Sequence, residues 1–85
     1  MNISKLPRIF AVAMKKEIFL KNLGERIRDL RIEKGISQAQ LARSIGKRQQ
    51  SIQRLESGKF NPTVKYLLAV AKGMELSMKK LLETL

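Results

Sequence analysis

The stretch from Ser37 to Glu56, SQAQLARSIGKRQQSIQRLE, constrains the fold more than any other part of the chain. Its apolar positions are Leu41, Ala42, Ile45, Ile52 and Leu55. Within each half they recur at steps of three and four residues, the spacing of one helix face. The periodicity breaks at Gly46, a residue free to take a positive φ, so the direct reading is helix, tight turn, helix. The small Ala42 lets the second helix cross close to the first. Ile52 and Leu55 bury the inner face of the second helix and leave Gln49, Gln50, Gln53 and Arg54 outward. A face of amides and guanidinium without a carboxylate suits the edges of DNA bases.

The rest of the composition agrees with a small helical unit that meets a polyanion. Eighty-five residues make one domain with a modest core. Cysteine and histidine are both absent, which removes disulfides, zinc-finger chemistry and the usual catalytic bases. No catalytic, metal or cofactor residues are expected. Eighteen Lys and Arg against seven Asp and Glu give a net charge of +11, which calls for DNA, RNA or an anionic membrane surface as partner.

The N-terminal segment is the least legible. Ile9 to Met14 (IFAVAM) follows Lys5 and Arg8 and faintly resembles the start of a signal peptide, but the apolar run is short and Lys15-Lys16-Glu17 stands where cleavage would occur. No stretch approaches a membrane span, so a cytoplasmic, nucleoid-associated protein is expected. Pro7 argues against a helix from the start, and Ile9-Phe10-Ala11-Val12 reads as a short strand or an irregular arm. Four roles stay open. Lys5 and Arg8 reach into a DNA groove, the apolar run pairs with another subunit, the segment is a disordered tail, or Met14 is the true start. Residues 1–16 are therefore set apart as an arm, and residues 17–85 as the folded domain, with the two-helix unit at 37–57.

From about Glu17 a helical stripe is expected through Phe19, Leu23, Ile27 and Leu30, with Leu20 beside it. Gly35 should stop that helix, with Ile36 packing back on its last turn. Ser37 and Gln40 then form a capping box for the next helix. A reading helix follows from near Arg48 to Ser57-Gly58. After the loop Phe60-Asn61-Pro62, Thr63 caps a fourth helix. Its residues Val64, Leu67, Leu68, Val70 and Ala71 suggest passage through the core. Gly73 should end it, and Ser77 should cap a last helix closed by Met78, Leu81 and Leu82. The expected class is all-α with five helices and an extra N-terminal segment.

Residues Leu23 to Leu82 resemble the Cro/CI-type (XRE-like) helix-turn-helix family of bacterial and phage repressors. The landmarks are Arg26-Ile27-Arg28, Ser37-Gln38, Leu41-Ala42, Gly46, Ile52, Glu56 with Gly58, and Pro62, in that order. Gln49-Gln50-Ser51 after Lys47-Arg48 is similar to the reading helix of a lambdoid phage repressor. The resemblance implies a lambda-repressor-like five-helix bundle, a homodimer on a pseudo-palindromic operator in double-stranded DNA, and transcriptional control.

It also implies residue roles. Gln49 and Gln50 fall where the family places base contacts, and an amide can bond adenine N6 and N7 together. Gln53 and Arg54 lie one turn on, where Arg54 reads guanine or clamps a phosphate. Arg48 and Lys47 flank the turn beside phosphates, and Arg43 is either a backbone contact or solvated. Gln38 reaches a phosphate while bracing the reading helix. Lys59 and Asn61, with Ser57, match the family's grip on the backbone after that helix. By the same resemblance Arg31 pairs with Glu56 and ties the first helix to the reading helix. Ser51 receives no role. Tyr66 and the Met residues are core or dimer surface by default, and Leu76, Met78, Leu82 and Leu85 are equally core closure or dimer contacts.

Three functions compete. A dimeric sequence-specific regulator, most simply a repressor, leads. An antitoxin that represses its own promoter alongside a toxin partner is closely related. A basic protein that coats nucleic acid or membrane without sequence choice is disfavoured by the ordered caps and by the 5% aromatic content. An enzyme is not expected, since no nucleophile–base pair can be assembled.

Overall fold

Capping residues divide the chain into helices at nearly every expected place. The computed structural model describes the backbone of residues 8–85 and the side chains of residues 15–85. Five helices follow in order: α1 Arg8–Glu33, α2 Gln38–Ser44, α3 Gln49–Glu56, α4 Val64–Gly73 and α5 Met78–Leu82. Hydroxyls of Ser37, Thr63 and Ser77 accept from the N–H groups of Gln40, Tyr66 and Lys80, and so start α2, α4 and α5. At Ser37 the box is reciprocal, because the Gln40 side chain accepts from the Ser37 N–H at 2.8 Å.

Helix ends use one recurring motif. Gly46 takes φ +68, and the Lys47 N–H then returns to the Ala42 carbonyl at 2.9 Å. Helix α4 ends at Gly73 as expected, but the glycine is not the left-handed residue of the cap. Gly73 is the last helical residue, and Glu75 takes the left-handed conformation at φ 57. Leu76 N–H closes the same motif on Ala71 O at 2.8 Å. Gly73 has a packing reason instead, for a Cβ there would sit 2.6 Å from Ile45 Cγ2.

One core joins all five helices. Leu23, Ile27 and Leu30 of α1 meet Leu41 and Ala42 of α2, Ile52 and Leu55 of α3, and Leu67, Val70 and Ala71 of α4, with Met74 and Leu81. Ile36, Leu76 and Met78 pack against this cluster. Burying each large side chain contributes roughly 1.5–3 kcal/mol, and the chain entropy opposes it.

Four expectations are corrected. The helix expected from about Glu17 begins at Arg8, so Ile9 to Val12 are helical rather than a strand or irregular arm. A helix already nucleated by packing further along extends at low cost through alanines, lysines and glutamate, where local propensity alone is indecisive. The expectations for Lys5 and Pro7 lie outside the described residues. Phe19, expected in the core stripe, is 49% exposed, because the bundle that covers α1 ends near Lys21, where Gly58 packs on its backbone. Val64 and Leu68 are likewise exposed. Helix α4 packs on α2 and α5 along one face and does not run through the core. Leu82 also stays partly exposed while Leu81 closes the bundle. No described helix is long and apolar enough to cross a membrane.

Candidate nucleic-acid interface

The two-helix unit is held by small-residue packing and a buried ion pair. Ala42 is buried where α2 meets α3. On the other side of α3, Gly24 of α1 lies against the backbone carbonyls of Leu55 and Glu56, so closely that a Cβ would stand 2.6 Å from the Glu56 oxygen. Such an approach sets any side chain at 24 against backbone that would have to shift.

Arg31 reaches across from α1. Its Nε donates to Glu56 Oε2 at 2.6 Å and its Nη2 to Glu56 Oε1 at 2.9 Å. The remaining nitrogen, Nη1, donates to the Ile36 carbonyl at 2.8 Å. Gln38 Nε2 adds a third bond to the carboxylate, at 3.0 Å to Oε1. Both charged residues are buried. The hydrogen bond to Glu56 pushes the Arg31 guanidinium above its ordinary value, burial opposes this, and the Glu56 charge reinforces it. The only acid of α3 is thereby turned inward and neutralised. Its outer face is left to amides and cations.

That outer face holds most of the sequence-derived positions. Gln49, Gln50, Gln53 and Arg54 are exposed on α3, as are Lys47 and Arg48 in the turn before it and Lys59 and Asn61 in the loop after it. Arg43 is exposed on α2, and Gln38 is half-buried at the start of that helix. Lys47, Arg48, Gln50 and Arg54 line one concavity with Ser51 and Tyr66. Gln38 and Gln53 line a second with Arg28, Arg31, Glu56 and Ser57. Arg43, Gln49, Lys59 and Asn61 line neither. Among the described residues no group of three or more acidic, histidine or cysteine side chains could hold a metal ion.

Two residues gain a place that sequence reasoning did not assign. Ser51 Oγ donates to Arg48 O at 2.8 Å and lies 2.8 Å from the Tyr66 hydroxyl. The Tyr66 ring meets Phe60 edge to face at 4.9 Å, and Lys47 Nζ stands 5.6 Å above its centre. The available signal was chemical: a tyrosine on a capped helix carries a polar tip that seeks a partner when partly buried.

Comparison with known proteins agrees with this geometry. A helix-turn-helix family model matches residues 27–81. An uncharacterized HTH-type transcriptional regulator of Archaeoglobus fulgidus is 38% identical over 47 residues, which cover 55% of this chain and 67% of the relative. The crystal structure of the restriction-modification controller protein C.AhdI from Aeromonas hydrophila superposes with a TM-score of 0.73 at 30% identity. That match covers 75% of this chain and 97% of the controller protein. The family model, the shared fold and the inward-turned glutamate beneath an acid-free outer face agree: the chain belongs to the Cro/CI-type helix-turn-helix family of DNA-binding transcriptional regulators.

Proposed function

We propose that this protein is a sequence-specific regulator of transcription, a repressor that binds a pseudo-palindromic operator in double-stranded DNA as a homodimer in the cytoplasm. The observation that carries the reading is the outer face of α3. Gln49, Gln50, Gln53 and Arg54 are exposed together, while the helix's one carboxylate is buried in three hydrogen bonds. In this reading α3 lies in the major groove, where Gln49 and Gln50 pair with adenine edges and Arg54 with guanine. Lys47, Arg48, Arg43, Gln38, Lys59 and Asn61 hold phosphates on either side and supply most of the binding energy. Two copies would set their reading helices about 34 Å apart, one turn of the duplex.

Enrichment of a random duplex library on the purified protein, at two salt concentrations, tests the reading. An inverted repeat with adenine-containing half-sites is the expected result. Binding that collapses with salt and enriches no sequence would reject sequence-specific regulation and leave only an electrostatic grip.

A further inference from the structure

The reading helix starts differently from its neighbours. Among the described residues, α2, α4 and α5 each begin with a hydroxyl that accepts from the helix N–H groups, whereas Arg48 at the head of α3 makes no side-chain capping bond. An uncapped first turn frays readily. This is the turn that carries Gln49 and Gln50. The core and the Arg31–Glu56 pair hold the later turn of α3, and a contact from α4 reaches this first one. The Tyr66 hydroxyl lies 2.8 Å from Ser51 Oγ, which is itself bonded to the Arg48 carbonyl at 2.8 Å. The Tyr66 ring is braced in turn by Phe60 at 4.9 Å and lies beneath Lys47 Nζ at 5.6 Å.

We propose that Tyr66 is a positioning residue of the reading surface: its hydroxyl latches Ser51, ties the uncapped first turn of α3 to α4, and holds it where its two glutamines can meet base edges. The inference rests on the DNA-reading assignment above and deepens it. Tyr66 belongs to α4, so the fourth helix sets the aim of the third. The ring has a separate task, since a cation over an aromatic face is held without losing its charge. Lys47 is thus kept beside the turn whether or not the hydroxyl is present.

The test uses the full chain with Tyr66→Phe, Ser51→Ala and the double variant. Phenylalanine keeps the ring, so melting and circular dichroism should stay near wild type. In the free protein, amide exchange at residues 51 and 52, where the Ser51 N–H closes the first turn on the Arg48 carbonyl, should quicken while α4 is unchanged. Preference for the enriched duplex over a scrambled one should fall roughly two- to ten-fold, the worth of one hydrogen bond. Affinity for the scrambled duplex should hold. The double variant should lose no more than either single one. Unchanged exchange or an unchanged preference overturns the proposal, and so does an equal loss on both duplexes, which would make Tyr66 a backbone contact. If the wild type itself does not discriminate, the DNA-reading assignment fails, and amide exchange alone decides the latch.

Discussion

Gly24 of α1 and Leu55 of α3 are in backbone contact: a Cβ at position 24 would collide with the Leu55 carbonyl, and would lie 2.8 Å from the carbonyl carbon of Glu56. Backbone cannot swing aside as a flexible side chain can. Gly24→Ala gains about 1 kcal/mol of helix propensity but incurs about 1–3 kcal/mol of overpacking. The second effect should win, because both helices are held by the same core. Urea unfolding should show a lower midpoint at an unchanged slope. A variant as stable as wild type would mean the two helices are free to separate.

Arg31 and Glu56 should behave as a unit. Removing Arg31 as methionine leaves a buried carboxylate with only Gln38 as its side-chain donor, a loss of about 3–5 kcal/mol for buried pairs. The double change to Arg31→Met and Glu56→Met should be less destabilising than either single change. Chemical denaturation of the four proteins closes the cycle. The raised Arg31 value has a definite sign. Its stabilisation is complete below the unfolded-state value and is lost only as pH rises through the folded one, far into alkali. Stability between pH 7 and 9 should therefore show no loss traceable to Arg31.

Glu75 offers a stabilising change. It holds φ 57 at the end of α4 and is exposed. Left-handed backbone costs a side chain about 1 kcal/mol that glycine does not incur. Glu75→Gly should raise the melting temperature by a few degrees, to be read by calorimetry. A lowered melting temperature would show that glycine's unfolded-state freedom outweighs the relieved strain.

The proposed DNA contacts should separate by kind. Gln49→Ala should cost about 1–3 kcal/mol on the selected operator and almost nothing on scrambled DNA. Lys59→Ala should weaken both equally and reduce the salt slope by about one. Titrations at several salt concentrations distinguish them. Equal behaviour of the two variants would remove Gln49 from base reading.

The sequence by itself determined the elements and the family. Hydrophobic spacing, glycines 35 and 46, and the hydroxyls of Ser37, Thr63 and Ser77 are local signals, and local backbone physics acts on them directly. The outward set on α3 was legible for the same reason, since Ile52 and Leu55 define the opposite face. Tertiary structure decided what depends on a neighbour. Phe19 and Val64 carry apolar side chains at helical spacing, yet nothing in the bundle extends far enough to cover them. Gly73 ends α4 as its position suggested, but the space it leaves for Ile45 is visible only in the packed molecule. Ser51 and Tyr66 are fifteen residues apart in the chain and meet only because α4 folds back beside α3. A hydrogen bond between distant residues leaves no periodicity behind, so only the packed molecule reveals it.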